Sequence, residues 1–476
     1  MITPPFRKKI MFWNWVRDWL YSLIGINLII DAMENGTPIP AQAYLQLVFS
    51  VVTLIFGILS AYRGVYLIIG LFAPARKYPS HPMDKKYAFV LSARNEEKVI
   101  ANLIDSIRAQ DYPQELIDIY VIADNCDKDD KTAEIAEKLG CHVMVRNDPT
   151  KQRKGYALQM FFNHIKETIG IDAYYGYAFF DSDNVMAPNF LRKINDAMQE
   201  DDLMSCTGYR NVKNLNQNWV TAINGINMYR NSVSVARPRA VVRSKMQLIN
   251  GTGFVLSYRV LEKNGWDCLT ICEDGELSAK LAVSGARMGF CEEAEYYDEQ
   301  PDTVRISVRQ RLRWTKGCLV NWWDGGHRIL RSFFRKPTWQ KYDGYWDFFP
   351  YALFSFLWNL LFQISSLILF FVVGDNGYNW NNFLSFVLTL LAGQYLTAFL
   401  TGIVVEIREW KKVHFNLFEA IIYLFVWPFY DMIGVLLNIM CLFMRVTWKP
   451  IPHQSIASGS ELFEAEQNKG KKKSKK

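Results

Sequence analysis

The sequence predicts an α/β fold with a mostly parallel sheet, flanked by transmembrane and interfacial helices. Three observations carry that reading. Between residues 81 and 330, short β-branched or apolar runs alternate with helical stretches, the pattern of crossover units in a parallel sheet. On either side of this polar middle lie apolar runs long enough to cross a bilayer. Acidic motifs fall where the strands should end, and such sheets bind ligands beyond the carboxyl ends of their strands.

The strands are read at Tyr87–Leu91, Ile117–Ile122, His142–Val145 and Tyr174–Phe180, with helical stretches at Glu97–Arg108 and Lys131–Leu139 between them. No G-x-G-x-x-G or Walker loop occurs, so a Rossmann dinucleotide enzyme or a phosphate-loop ATPase is unsupported. The 476 residues allow for about three structural units. With 50% hydrophobic and 15% aromatic residues the chain is too apolar to be disordered. A net charge of +7 with no long interior basic stripe gives no reason to expect nucleic acid as a partner. The 8 cysteines form no C-x-x-C pair, so reduced, packing thiols facing a cytosol are expected.

Residues 1–80 read as N-terminal membrane segments. The run Met11–Ile30 follows the cations Arg7, Lys8 and Lys9, and Ala41–Phe72 is broken only by Arg63. Cations before the first run and after the second put both flanks inside, giving a hairpin. Arg17 and Asp18 allow the alternative of an interfacial helix plus one crossing. A cytosolic domain is expected over 81–330, and interfacial and transmembrane helices over 331–449. Within the latter, Phe348–Val373 and Phe383–Val405 are membrane-length runs. Leu417–Met444 is expected to break near Trp427-Pro428 into a re-entrant pair, keeping the flexible basic tail, 450–476, inside.

The chemistry-bearing residues are Ala93-Arg-Asn95-Glu96 after the first strand, Asp124 after the second, and Asp181-Ser-Asp183 after the fourth. Farther on come Lys154 beside Gly155, Glu273 and Asp274 after the Gly-rich stretch Asn250–Phe254, and Gln310-Arg-Leu-Arg313-Trp314. Two carboxylates at a strand end suit a hard divalent cation bridging a diphosphate, although a solvated turn with an Asx hydrogen bond has the same spelling. Asp124 reads either as a turn aspartate or as an acceptor for base or ribose hydroxyls. Lys154 beside a glycine would approach a phosphate closely. Asp274 is placed to act as a general base or to cap the helix expected over Gly275–Val283. Gln310, Arg313 and Trp314 share one helix face. There Trp314 would stack on a sugar and Arg313 would pair with a diphosphate, unless the helix lies at the interface with its arginines on lipid headgroups.

In this order the motifs resemble the processive family-2 glycosyltransferases of membranes, such as cellulose, hyaluronan and poly-N-acetylglucosamine synthases. The resemblance implies a GT-A-type nucleotide-sugar-binding domain. It assigns Ala93, Asn95, Glu96, Asp124, Lys154, Asp181, Gln310 and Arg313 to the nucleotide sugar, Asp181 and Asp183 to the metal, Mg²⁺ or Mn²⁺, and Trp314 to the acceptor. Asp274, with Glu273 beside it, is the catalytic base. Cys272 stands where the family's motif has threonine, which leaves a hydroxyl contact unexplained.

The resulting expectation is a multi-pass membrane enzyme, its catalytic domain in the cytosol. It would invert a UDP-sugar and pass a growing β-linked glycan through the membrane, among lipids and accessory secretion proteins. The rivals are a transferase adding one sugar to a lipid acceptor and a non-catalytic membrane scaffold.

Overall fold

The computed structural model describes residues 27–373, 380–444 and 446. Arg17, Asp18, most of the Met11–Ile30 run and the basic tail lie outside the described residues. Among the described residues, eight strands form one sheet: β1 (Tyr87–Ala93), β2 (Ile117–Asp124), β3 (His142–Arg146), β4 (Gly176–Asp181), β5 (Val185–Met186), β6 (Ser205–Val212), β7 (Phe254–Ser257) and β8 (Met288–Asp298). Their order is β3-β2-β1-β4-β7-β6-β8-β5. β1 runs parallel to β2 and β4, β2 to β3, and β6 to β8, while β7 and β5 are antiparallel to their neighbours.

The first strand shows why the sequence folds this way. Tyr87, Phe89 and Leu91 enter one core with Ile100, Leu103 and Phe180. Ala88 and Val90 enter a second core with Phe161, Phe162 and Phe179. A strand covered on both faces reads as a continuous apolar run, which is how β1 is spelled from Tyr87 to Leu91. Each fully buried Phe or Leu contributes roughly 1.5–3 kcal/mol, so the two-sided core dominates the fold. Register then fixes the functional edge. Ser92 pairs with Asp181, Ala93 with Ala123 and Val212 with Asp298, bringing the carboxyl ends of β1, β2, β4, β6 and β8 to one side.

The helices used below are α1 (Ala41–Ser60), α2 (Tyr62–Phe72), α3 (Lys154–Thr168), α4 (Trp219–Asn231), α5 (Glu273–Ser284), α6 (Val304–Asn321), α7 (His327–Arg335), α8 (Trp339–Phe348), α9 (Tyr351–Val373), α10 (Trp380–Val413) and α11 (Leu417–Phe443). Two compact units result, residues 1–65 with 351–397, and residues 66–350 with 398–476. In the first, Phe49 of α1 stacks on Trp358 of α9 at 5.5 Å, and Gln42 Nε2 donates to Ser366 Oγ over 2.9 Å. In the second, Val405, Val413, Trp427 and Tyr430 pack against Tyr209, Ile223 and Tyr229 of the sheet domain.

Four stretches are long and apolar enough to cross a membrane among the described residues: Ala41–Phe72, Tyr351–Val373, Phe383–Val413 and Leu417–Phe443. The expected re-entrant break does not occur, because α11 runs unbroken through Pro428. Proline removes one helical hydrogen bond, but contacts on both sides of it hold the helix. Trp427 Nε1 donates to Ala398 O over 3.0 Å, and Tyr430 Oη bonds Asn224 Oδ1 over 3.0 Å.

Candidate active site

The loops after β1 and β2 are tied together. Asn95, in the left-handed region at φ 60°, donates through Nδ2 to Asp127 Oδ2 and accepts from the Asp127 amide, both over 2.8 Å. The Glu96 amide donates to Thr132 Oγ1 over 2.9 Å. Ala93 is buried at the end of β1. Asp124, buried at the end of β2, takes Arg146 Nη1 at 2.6 Å and Asn125 Nδ2 at 2.9 Å, both on Oδ1. Arg146 sits opposite it in register on β3. The aspartate is therefore part of a buried ion pair at a strand end, and burial raises its pKa against the pull of Arg146.

A second group gathers beyond β4. Lys154, the first residue of α3, donates to Asp181 Oδ1 at 2.6 Å and to the Gly251 carbonyl at 3.0 Å. Gly251, at φ +77°, lies against Asp274, so that a Cβ there would stand 3.3 Å from Asp274 Oδ2. The Gly-rich loop thus joins Lys154 to the start of α5. A Cβ at Gly155 would run into the Cys268 carbonyl, so its small size is needed for packing whatever approaches Lys154. Asp183 is buried, and Asn184 Nδ2 bridges it at 3.3 Å to Asp298 Oδ1 at 2.8 Å.

Asp274 is the second residue of α5 and not its cap. The N-cap is Cys272, which makes no side-chain capping bond, and Asp274 Oδ1 accepts from the Gly275 amide at 2.8 Å. Closing the preceding loop falls to Glu276, whose Oε2 accepts from the Leu269 and Thr270 amides at 2.9 and 3.0 Å. Burial pushes the pKa values of Glu273 and Asp274 up, and for Glu273 the neighbouring Asp274 charge adds to it. Lys154 and Arg313 pull both down. The charge of Arg313 on α6 thus acts on this pair.

The helix α6 is docked where α5 begins. Asn321 Nδ2 donates to the Cys272 carbonyl at 3.0 Å, and a side chain at Gly317 would collide with the Cys272 sulfur. In this chain Cys272 packs on a bare helix backbone, which accounts for a residue without a hydroxyl there. One turn before Arg313, Gln310 Oε1 is buried with no hydrogen-bond partner among the described residues. Trp314 is half-buried on the same face.

The structure thus brings Lys154, Asp181, Glu273, Asp274 and Arg313 into one electrostatic cluster, with Asp183 beside Asp298. It sets Ala93, Asn95, Glu96 and Asp124 one and two strands away along the same edge. Residues 84–317 match the family model "Glycosyltransferase like family 2". They form a family 2 glycosyltransferase domain.

The glycosyltransferase is 26% identical over 378 residues to "Probable glycosyltransferase YdaM" of Bacillus subtilis (strain 168), covering 76% of this chain and 83% of that protein. It is 24% identical over 279 residues to hyaluronan synthase of Streptococcus pyogenes serotype M3, covering 55% of this chain and 64% of that protein, so under two thirds of the synthase is spanned. Among solved structures it resembles a mannosyltransferase from Pyrobaculum calidifontis in complex with GDP-Man and Mn²⁺. The TM-score is 0.50 at 13% identity, covering 82% of this chain and 98% of that one. The fold is of the GT-A type.

Two residues of this glycosyltransferase domain escape sequence reasoning. Asp298 ends β8 buried, held by Asn184 and by Gln300 Nε2 at 2.7 Å, with Arg210 Nε 3.4 Å away. Burial, with the charges of Asp183 and Asp181, pushes its pKa up to about 7 against the opposing Arg210. Thr252 Oγ1 accepts from the Asp181 amide at 3.0 Å and bonds Asn184. A carboxylate closing the run Met288–Asp298 was the available signal for Asp298.

Proposed function

We propose that the chain is an inverting transferase that uses a UDP-sugar and a divalent metal to extend a β-linked polysaccharide and pass it across the membrane. The observation that carries this reading is the Lys154–Asp181 pair at the carboxyl edge of the sheet, joined through Gly251 to Asp274, on which the charge of Arg313 also acts. Base and cations in that arrangement suit a single displacement at an anomeric carbon, which inverts it.

In this reading the strand ends at Asn95 and Asp124 receive the nucleoside, and Lys154 and Arg313 meet the diphosphate. Arg313 presents a planar fork for two of its oxygens. Asp181 and Asp183 form an oxygen-only donor set of two carboxylates. That set fits a hard cation such as Mg²⁺ or Mn²⁺ shared with substrate phosphates, and no dedicated protein cage of three or more ligands occurs among the described residues. Such a cation, once bound, would neutralise charge developing on the leaving diphosphate. Asp274 takes the proton of the attacking hydroxyl. The Gln310 acceptor, buried and unpartnered, is suited to a sugar hydroxyl, and Trp314 offers an apolar face to the acceptor glycan.

Passage across the membrane is supported by the way α6 is bound to α11. Arg311 Nη1 donates to the Tyr430 carbonyl at 2.8 Å, Lys316 Nζ to the Cys441 carbonyl at 2.7 Å, and Ser307 Oγ bonds Tyr430 Oη. The helix bearing Gln310, Arg313 and Trp314 is thereby fastened to one of membrane length. The cations flanking the apolar runs favour a catalytic domain in the cytosol, beside the nucleotide-sugar pool.

The test is purified protein with Mg²⁺ or Mn²⁺ and a panel of UDP-sugars, reading UDP release and product length. Polymer formation supports the proposal. A single glycolipid product favours the one-step transferase, and no turnover with any donor overturns the reading.

A further inference from the structure

We infer that a basic cavity behind the catalytic edge is a binding site for a phosphate-bearing anion, the headgroup of an anionic lipid. The inference is independent of the transfer reaction. The cavity, about 560 Å³, lies between the ends of α5 and α8 and is lined by Arg243, Lys245, Lys336 and Lys341, with Thr338 and Trp339, and by no carboxylate.

The cations are arranged for a ligand that the protein does not supply. Arg243, Lys245 and Lys336 are exposed, and among the described residues none of them forms an ion pair with a carboxylate. Lys341 is buried at 6% exposure, and its ammonium donates to the Ser332 and Lys336 carbonyls, both at 3.2 Å. That leaves its third hydrogen without an acceptor among the described residues. Arg243 and Lys245 stand at φ 53° and 62°, in the left-handed region that favours glycine. The turn is held by bonds to the Lys245 carbonyl from the Met288 amide at 3.1 Å and Gln340 Nε2 at 2.9 Å. Long cations are thus fixed in place where a small residue is the usual occupant.

Two helix ends decide the sign of the local field. The N-terminal turn of α8, capped by Thr338, points its positive end at the cavity. The C-terminal end of α5 would oppose an anion, but two of its carbonyls, those of Ala282 and Leu281, are taken by the Gly285 and Ala286 amides. An aromatic and an apolar side chain line the opening, Trp339 at 45% and Val242 at 44% exposed. Cations around an aromatic rim in a chain with membrane-length helices match a lipid headgroup at the interface. A free phosphate shares the same chemistry, and the experiment separates the two.

The full-length protein in detergent is titrated with dioleoyl phosphatidylglycerol or dioleoyl phosphatidylcholine, and retained lipid is read by native mass spectrometry. In parallel, inorganic phosphate is added and the unfolding midpoint recorded. Wild type is expected to retain phosphatidylglycerol selectively. The combined R243Q, K245Q and K336Q variant should lose about a hundredfold of that preference, at roughly 1 kcal/mol per cation. The charge-preserving R243K, K245R and K336R variant keeps it, and basal UDP release stays unchanged in both. If only inorganic phosphate raises the midpoint, and only in proteins with the cations intact, the anion site stands but its ligand is soluble. If neither probe distinguishes wild type from the glutamine variant, the inference is overturned.

Discussion

Lys154 Nζ stands 2.6 Å from Asp181 Oδ1, with side-chain exposures of 21% and 43%. The pair couples the first residue of α3 to the end of β4, and the same ammonium reaches the carbonyl of Gly251, which lies against Asp274. A partly exposed ion pair contributes little to stability, and in the proposed reading it holds a cation for the diphosphate at the strand ends. Lys154→Gln should leave the unfolding midpoint nearly unchanged. It should raise the KM for the nucleotide sugar by roughly tenfold to a hundredfold, the size of one charge-assisted hydrogen bond. Steady-state UDP release across donor concentrations checks this, and an unchanged KM would show that Lys154 does not meet the diphosphate.

Asp274→Asn keeps the shape of the side chain and the bond from the Gly275 amide while removing the base. Turnover should fall by roughly 10²–10⁴, with UDP affinity measured by calorimetry altered by less than a few fold. Retention of full activity would remove Asp274 from the chemistry.

How much of this was legible follows from particular residues. The strand ends at Asp124 and Asp181 could be read because each follows an apolar run too short for a helix. β7 and β8 could not, since Phe254–Ser257 is four residues long and β8 mixes Glu292, Glu293 and Glu295 into its sequence. Those glutamates find cations from distant segments: Arg237 for Glu292, Lys193 for Glu293 and Lys412 for Glu295. Such long-range pairing leaves no local trace, and with β8 unread Asp298 was missed. Pro428 misled for the opposite reason, because a local helix-breaker was overruled by packing around Trp427 and Tyr430.

The pH dependence follows from raised carboxyls. Glu273, Asp274 and Asp298 all have folded-state pKa values above their unfolded ones, chiefly through burial. Each binds its proton more tightly when folded, so stability is fully present below the ordinary carboxylate range and declines as pH rises toward about 7, the value for Glu273 and Asp298. With Asp274 as the proposed base, activity runs the other way, since that carboxylate must be ionised to accept a proton. The acid limb of kcat/KM should therefore lie above the usual range of an aspartate, and the unfolding midpoint should fall across the same interval. Asp298→Asn should flatten the fall in midpoint while leaving the acid limb in place. A limb at the ordinary aspartate value would contradict the burial of Asp274 as the base.

A buried network fixes α8 beneath the catalytic helix. Arg239 is 1% exposed and pairs with Asp343 at 2.6 Å and Asp347 at 2.7 Å, whose side chains are 0% and 3% exposed. Asp343 also accepts from Tyr66 Oη at 3.0 Å. Burying these charges costs desolvation energy that their attraction only offsets while all partners are present. Arg239→Ala leaves two carboxylates buried without their cation and should destabilise the fold by about 3–5 kcal/mol. The triple variant Arg239→Met, Asp343→Asn, Asp347→Asn removes every charge and keeps an acceptor for Tyr66, so it should recover most of that loss. Denaturant or thermal unfolding in detergent, compared across the three proteins, checks the order wild type, triple variant, single variant. A triple variant no more stable than Arg239→Ala would mean that the arginine acts by filling space and not by balancing charge.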